Sequence, residues 1–380
     1  MSDTKKKFRV LSISGGGSRG IIPSLVLLKL EQITGRHPCE MFDLFIGTST
    51  GAMISAVLNI PADVAPEGED AKGNTDNLKE TPKWKYTTKD LLDVYIKEGP
   101  VVFESSMWKK MTTINGIYGP MFYTKNRDER FKAWMGETRL KNLVKDAIFT
   151  SYDMCTKSPV FFKSRKARFD ESEDYLLSDC IKAATAAPTV WPPHPIKDGL
   201  YMDALYAKNP TMFSIIEAIH HYNVPFDDLI VASLGTGYSR KQVDPKKIIT
   251  TGPSFLVEAF NSTINANTMS TMYMIKCLMK NPGNVLDIDI PLSEEHMGIT
   301  DVSKDHINYL IKVTHEYMAE HEQELIDFAR TLIPQSEWKI AVPMAVVSEE
   351  TSESTETSES TVNAIEIENA IEDNSNANSD

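Results

Sequence analysis

Apolar residues occur in short runs that alternate with amphipathic stretches along most of the chain. Residues 8–13 form an apolar, β-branched run that predicts a strand, and residues 21–35 carry apolar side chains at helical spacing. Pro23 in the first turn and Gly35 past the end have positions typical of a helix start and end. A second apolar run at 41–47 leads into another helical stretch. This order predicts a parallel sheet covered by helices, an α/β fold.

The same criteria predict further strands and helices downstream. The predicted strands are at 145–153, 158–164, a short segment ending near Asp203, and a buried segment at 228–237. The predicted helices are at 87–99, 176–188, 209–222, 253–281 and 301–332.

Changes in composition predict the domain limits. Residues 1–7 are polar and basic, and we expect a flexible N-terminus followed by one domain over 8–340. Within it, 61–87 lacks periodicity and is rich in Pro, Gly, Asp and Glu, which predicts a surface insertion. Residues 341–380 are rich in Ser, Thr, Glu and Asn and cannot bury enough apolar surface to offset the entropy of ordering. We expect this tail to be disordered.

Charge and cysteine content narrow the function classes. The formal net charge is −13, but residues 349–380 hold ten acidic and no basic residues, so the rest of the chain is near neutral at about −3. The charge of the folded part therefore says little about its partner, and we expect no nucleic-acid polymer. The four cysteines are far apart and match no metal or disulfide spacing, which favours a reducing compartment and no metal site. No apolar run approaches the length of a membrane span and no secretory signal begins the chain, so we expect a cytoplasmic protein.

A glycine-rich loop follows the first predicted strand. Gly15, Gly17 and Gly20 satisfy the dinucleotide pattern G-x-G-x-x-G, and Gly15 with Gly20 also matches a phosphate-binding loop. The second strand, however, does not end in the carboxylate that a dinucleotide fold needs for the ribose. A phosphate-binding loop fails because Ile21 stands where a lysine is required. We therefore expect the glycine loop to bind an anion other than the phosphate of a nucleotide.

The second predicted strand ends in "GTSTG", residues 47–51, before a predicted helix. Gly47, Ser49 and Gly51 form a G-x-S-x-G, which in a strand-to-helix turn exposes the serine hydroxyl as a nucleophile. The alternative is a turn in which Ser49 only caps the helix. Adjacent parallel strands bring their carboxyl ends together, which would place the amides of Gly15, Gly16 and Gly17 beside Ser49 as an oxyanion hole.

A serine nucleophile needs a base, and no histidine stands out. His194 lies in a predicted loop that could face the site, and the other downstream histidines fall within helical patterns and are better explained as packed or solvated side chains: His220, His221, His296, His306, His315 and His321. The order of a Ser-Asp-His triad is thus not supported by the pattern.

These segments resemble the patatin-like phospholipases over about residues 8–332. That family begins with a strand and a "GGG-x-[RK]-G" loop, matched by "GGGSRG" at 15–20, followed by a "G-T-S-x-G" elbow, matched at 47–51. Further similar segments are "AATAAPTVWPP", "YMDALYAKNP" and "VASLGTG". The resemblance implies a three-layer α/β/α fold with a mostly parallel central sheet and acyl-ester hydrolysis by a Ser-Asp dyad without a cofactor.

The resemblance also implies roles for individual residues. Ser49 matches the nucleophile, and Asp203 in "GLYMDALYAKNP" matches the family's aspartate, with Asp198 in "IKDGLY" as a rival. Gly15 to Gly17 match the oxyanion loop, supported by Arg19, Gly20, Gly47 and Gly51. The chain departs from the pattern at Ala204 and Leu205, in a motif one residue short, and at Ser14, where many members have an acid.

The expected substrate is a membrane phospholipid or another acyl-ester lipid, met at a membrane surface. Residues 105–123 mix aromatic and Met side chains with two lysines, which fits a lipid interface and core packing equally. The resemblance leaves room for a small-molecule or protein activator, such as a cyclic nucleotide or host factor, and for a silent interaction protein on the same fold. The acidic tail is similar to export signals of some bacterial effectors and equally fits a solubilising end. The oligomeric state is open.

Overall fold

The structure, a computed structural model, describes residues 7–62, 84–104, 119–240 and 252–339. Almost all of the predicted basic N-terminus, most of the predicted insertion, residues 105–118 of the predicted lipid-facing segment and the predicted tail lie outside the described residues. Among the described helices, none is both long and apolar enough to cross a bilayer.

Ten strands are defined in the described part of the chain. They are β1 Phe8–Ile13, β2 Leu44–Thr48, β3 Asp146–Asp153, β4 Ser158–Lys163, β5 His194–Ile196, β6 Gly199–Asp203, β7 Leu229–Leu234, β8 Tyr238–Ser239, β9 Val285–Ile288 and β10 Pro291–Leu292.

The described helices cover both faces of the main sheet. They are α1 Ile21–Thr34, α2 Pro38–Met41, α3 Thr50–Asn59, α4 Thr88–Asp93, α5 Gly99–Val102, α6 Thr124–Met135, α7 Ser164–Phe169, α8 Leu177–Ala184, α9 Thr211–Tyr222, α10 Gly252–Leu278, α11 Lys304–Glu320 and α12 Glu322–Leu332. A π-helical turn, Val94–Glu98, joins α4 to α5, and a 3-10 turn, Gly17–Gly20, precedes α1.

The main sheet has eight strands. Its pairing path is β5-β6-β3-β2-β1-β7-β9, with β4 also paired to β3, and β3, β2, β1, β7 and β9 run parallel. β4 and β6 pair antiparallel with β3, and β5 pairs antiparallel with β6. The predicted α/β fold with a mostly parallel central sheet is confirmed.

Alternate residues of the central strands face opposite helical layers. Leu11 and Phe45 join one core cluster with residues of α1, α3, α11 and α12, whereas Val10 and Ile46 join a second cluster with residues of α9 and α10. This is the pattern expected of strands buried on both faces. The sheet is thus the middle of three layers, and its carboxyl edge is where loops can build a site.

Several predictions about elements differ from the structure, including the loop predicted at His194, which is strand β5, and two further cases show the reason. The single helix predicted over 301–332 is two helices, because His321 leaves the helical conformation (φ −113°, ψ 22°) and ends α11. The sequence contains no Gly or Pro that would mark this break. Strand β9 was not predicted, since it is only four residues long and includes the polar Asp287.

The two ends of the predicted insertion lie side by side. Pro61 forms a β-bridge with Trp84, and the amide of Lys85 donates to the carbonyl of Ile60 at 2.7 Å. The Trp84 ring stacks on His37 with centroids 4.0 Å apart. The two ends of the predicted insertion therefore meet at one point of the domain.

Candidate active site

Ser49 occupies a sharp turn between β2 and α3. Its backbone has φ 55° and ψ −121°, a conformation that residues other than glycine rarely adopt. The Ser49 carbonyl accepts the amides of Ala52 (2.9 Å) and Met53 (3.2 Å), but its side chain makes no capping bond to the helix. The hydroxyl is therefore not consumed as a helix cap, and Ser49 is the half-buried member of an otherwise buried run.

Small residues on both sides of Ser49 make this turn sterically feasible. A Cβ placed on Gly47 would lie 2.2 Å from the backbone of Gly51, and one on Gly51 would lie 2.2 Å from the carbonyl oxygen of Ile13. Both positions therefore need glycine because the backbone segments touch. The contact with Ile13 also packs the start of α3 directly against β1.

Strand β3 brings Asp203 to the end of β2. Thr48, the last residue of β2, is opposite Thr150 on β3, and Asp203, the last residue of β6, is opposite the next residue, Ser151. β4 occupies the other edge of β3 at Ser151, so β6 uses the same edge as β2. Asp203 is thus placed where β2 stops and Ser49 begins.

The Asp203 side chain is buried, and no hydrogen bond of normal geometry from a described residue offsets the cost of burying its carboxylate. Only 1% of the residue is exposed, and burial raises the pKa of its carboxyl to about 7. The Ser49 hydroxyl lowers this pKa, but neither carboxylate oxygen has a hydrogen bond of normal geometry in the described structure. Desolvation therefore dominates, and the carboxyl group is poised to exchange a proton near neutral pH.

The segment after Asp203 is tied to the neighbouring strands. The Asp203 amide donates to the carbonyl of Ala186 at 3.0 Å, and the Thr48 hydroxyl donates to the carbonyl of Ala207 at 2.6 Å. Asn209 donates to the Ser233 hydroxyl at 3.2 Å and accepts the amide of Thr211 at 3.0 Å. These contacts explain the "KNP" stretch as an anchor between the candidate base and α9.

The rival carboxylate, Asp198, lies elsewhere. It is exposed in the two-residue turn between β5 and β6, where Ile196 pairs with Gly199. The first and last of the five residues of β6 are four steps apart, which separates them by roughly 13 Å at ~3.3 Å per residue. The structure therefore brings Asp203, and not Asp198, to Ser49.

The three glycines of the predicted oxyanion loop differ in their amides. The Gly15 amide donates to the carbonyl of Lys208 at 3.0 Å, so it is not free for a substrate. The amides of Gly16 and Gly17 have no acceptor among the residues described, and both glycines are half-exposed between buried neighbours. Gly17 has φ +61°, and a Cβ there would overlap the carbonyl oxygen of Ile299. The available donors are therefore Gly16 and Gly17.

Arg19 supports this loop from its buried side. It is 4% exposed, its Nε donates to the Gly16 carbonyl at 3.4 Å, and its Nη1 donates to the Gly237 carbonyl at 3.4 Å. Burial lowers the pKa of Arg19 to about 10, while the charge of Asp289 opposes that shift. Gly20 has no room for a side chain, since a Cβ would lie 2.2 Å from the hydroxyl of Tyr95.

In the described structure, no histidine is hydrogen-bonded to Ser49 or Asp203. His194 belongs to β5 and its Nε2 contacts Asp179 at 3.2 Å. His306 is fully buried at the start of α11, and its Nε2 lies 3.4 Å from the Ser18 hydroxyl. The arrangement therefore contains one serine and one aspartate without an imidazole between them.

Sequence patterns missed two residues that hold the glycine loop. The Lys208 carbonyl accepts the Gly15 amide, and the Thr236 hydroxyl donates to the Gly15 carbonyl at 2.7 Å. Both lie in segments singled out above, "YAKNP" and "SLGTG". A backbone acceptor leaves no residue-type signal, however, and a threonine in a turn is too common to indicate a role.

Aromatic and Met residues of the segment considered for lipid contact, and of the Met-rich region around α10, have mixed environments. Phe122 is 3% exposed and packs against Trp191. Met272 in α10 and Met279 just after this helix are buried, whereas Met269 in α10 is 74% exposed. The described part of these stretches therefore contributes to the core as well as to the surface.

Known proteins are similar in sequence to the part of the chain that contains the site. The sequence profile described as Patatin-like phospholipase matches residues 11–215. Patatin-like protein 1 from Arabidopsis thaliana is 26% identical over 265 residues, covering 61% of this chain and 59% of the relative. Patatin-like protein 3 from the same plant is 24% identical, covering 78% and 77%, and Patatin-T5 from Solanum tuberosum is 29% identical, covering 62% and 55%.

Among solved structures, VipD from Legionella pneumophila matches with 12% identity and a TM-score of 0.36, over 82% of this chain and 67% of that chain. A likeness at that level adds nothing to the assignment. The profile, in contrast, spans more than half of the chain and contains the glycine loop, the Ser49 turn and Asp203. The chain belongs to the patatin-like phospholipase family.

Proposed function

We propose that the protein is a serine lipid acyl hydrolase that uses Ser49 and Asp203 as a dyad. Membership of the patatin-like phospholipase family supports lipid acyl hydrolase activity in general. The observation that carries the dyad is the placement of a buried, uncompensated Asp203 at the turn that exposes Ser49. A carboxyl with a pKa of about 7 is a suitable base for a serine hydroxyl at neutral pH.

The proposed reaction has two steps, and Asp203 accepts and then donates one proton in each. Ser49 Oγ attacks the acyl carbonyl while Asp203 takes the hydroxyl proton, and Asp203 then gives this proton to the leaving alcohol. Water next attacks the acyl-serine while Asp203 accepts a proton from it, and Asp203 returns this proton to Ser49 Oγ as the fatty acid leaves. No histidine is needed to pass the proton between Ser49 and Asp203, because the two residues are adjacent.

The amides of Gly16 and Gly17 are the proposed donors to the tetrahedral oxyanion. They are accessible, lack acceptors within the described residues and follow the strand next to β2. The N-terminus of α3 directly behind Ser49 adds a favourable dipole for negative charge. Losing one such donor typically costs ~10²–10³ in rate.

The proposed substrate is an acyl ester of a membrane lipid, with a phospholipase A-type reaction on phospholipids. The family supports a lipid ester. Cleavage would take place at a membrane surface to which the protein binds peripherally.

Fatty-acid release from phosphatidylcholine vesicles tests this proposal. We expect Ser49→Ala to reduce the rate by about three orders of magnitude or more, and Asp203→Asn to reduce it strongly, because each removes a member of one catalytic unit. Asp198→Asn is the matched control, and we expect it to behave as wild type. Activity that survives Ser49→Ala would overturn the dyad, and loss in Asp198→Asn alone would reassign the base.

A further inference from the structure

We infer that Thr236 is a positioning residue that aims the Gly16 amide at the acyl oxyanion. This inference rests on the proposed function, since it concerns the same reaction. Thr236 follows β7, is 1% exposed, and its hydroxyl donates to the Gly15 carbonyl at 2.7 Å. No other donor to that carbonyl is found in the described structure.

The order of the strands gives this bond a direction. β1 lies between β2 and β7, so the Gly15–Gly16 peptide after β1 has Ser49 on one side and Thr236 on the other. A trans peptide is planar, with its carbonyl and its amide N–H pointing to opposite edges. Holding the Gly15 carbonyl toward β7 therefore turns the Gly16 N–H toward β2 and Ser49.

The contact between Thr236 and the loop is also close. A Cβ on Gly16 would lie 2.2 Å from the Thr236 hydroxyl oxygen and 2.5 Å from its Cβ. The peptide thus lies directly against the threonine side chain and cannot shift toward β7. Together, the contact and the hydrogen bond restrict this peptide to one orientation.

Contacts with Asp289 hold the turn that contains Thr236. The half-buried Asp289 accepts the amide of Gly237 at 2.7 Å, and a Cβ on Gly235 would lie 2.2 Å from the Asp289 carboxylate. The turn after β7 is therefore fixed to the segment that follows β9. A fixed Thr236 can transmit this rigidity to the oxyanion loop.

The role predicts a specific kinetic defect. Without the hydroxyl, the Gly15 carbonyl loses its donor, the peptide can rotate, and the Gly16 amide no longer meets the oxyanion in one geometry. Substrate binding before attack involves no oxyanion, so kcat should fall while KM changes little.

The test measures kcat and KM on a soluble p-nitrophenyl acyl ester for wild type and four variants. Thr236→Val and Thr236→Ala remove the hydroxyl with and without a bulky replacement, and Thr236→Ser restores it. Thr314→Val is the matched control, because Thr314 is fully buried and its hydroxyl also donates to a backbone carbonyl, that of Leu310.

We expect kcat to fall at least about 10-fold in the Val and Ala variants, short of the ~10²–10³ of an absent donor, and to recover in Thr236→Ser. Inhibition by a lipid trifluoromethyl ketone, whose adduct with Ser49 carries an oxyanion, should weaken in parallel with kcat/KM. Circular dichroism confirms that each variant is folded, and Thr314→Val should retain the wild-type kcat.

The outcomes separate the two proposals. Wild-type activity that depends on Ser49 but is unchanged in both hydroxyl-free variants would overturn the role of Thr236 alone. An equal loss in Thr314→Val, or a failure of Thr236→Ser to recover, would also overturn it. Absence of Ser49-dependent hydrolysis in wild type would instead overturn the proposed function.

Discussion

Asp203 is costly to the folded protein at the pH where the proposed reaction needs it. Its pKa rises from 3.8 to about 7 on burial, so the folded state holds a proton more tightly than the unfolded chain does. Its contribution to stability is thus fully present below pH ~4 and is lost as the pH rises through ~7. A shift of this size corresponds to roughly 4 kcal/mol.

Asp203→Asn should therefore stabilise the protein in a pH-dependent way. We expect its melting temperature to match that of wild type near pH 4 and to exceed it increasingly up to about pH 7, with a constant difference above. Thermal unfolding from pH 4 to 9 measures this, with the exposed Asp198→Asn as control. A difference that is the same at every pH would show that Asp203 is not titrating in this range.

At the residue scale, side-chain chemistry was predictable and backbone direction was not. Ser49 and the glycine loop follow from motif and order along the chain, and the resemblance selected the aspartate that the structure places beside Ser49. The three glycines look equivalent in sequence, but Lys208 takes the amide of Gly15. Such a contact spans about 190 residues and has no local signal.

The element that matters most for the site is the turn from β2 into α3. Here local preference and tertiary contact conflict, because alanine favours a helix over glycine by about 1 kcal/mol, yet Gly51 lies against the Ile13 carbonyl. The close approach of two backbones decides the residue, and the same approach sets the position of Ser49.

Gly51→Ala should therefore lower stability and activity together. The added Cβ would lie 2.2 Å from the Ile13 oxygen, so we expect a loss of about 1–3 kcal/mol from overpacking. Gly99→Ala at the start of α5 is the control, because its nearest neighbour would be Val302 at an ordinary 3.5 Å. Denaturant unfolding compares the two, and equal stability of both variants would contradict the steric argument.

Regular elements were predictable where they are long and periodic. Strand β1 and helix α1 follow the predicted segments closely, including the cap at Gly35 with φ +62°. Strand β9 is stabilised by pairing with β7 rather than by its own apolar content, and the break at His321 has no sequence marker. Both depend on tertiary contacts that a local pattern does not contain.

At the scale of the whole molecule, the last described residues contact helices α1 and α2. The Lys339 amide donates to the Thr34 carbonyl at 3.0 Å, and its ammonium pairs with Glu40 at 2.9 Å. The Trp338 indole donates to the Ile333 carbonyl at 3.0 Å and packs on the core. The domain therefore uses the chain at least as far as Lys339.

Two truncations test where the domain stops. Deleting 345–380 should leave the melting temperature and the hydrolytic rate unchanged, because it removes none of these contacts. Deleting 334–380 also removes Trp338 and Lys339 and should cost about 1–3 kcal/mol. Thermal unfolding of both proteins measures this, and destabilisation by the shorter deletion would mean that the acidic segment contributes to the fold.

The position of β7 has a consequence for dividing this protein. The profile match ends at residue 215, but β7 comes later and pairs with β1 in the centre of the sheet. A piece cut at the end of the match would leave β1 as an open, apolar sheet edge, which invites aggregation. Chimeras and minimal fragments of this protein should therefore be cut beyond β9, so that all strands of the main sheet are present when the site is assayed.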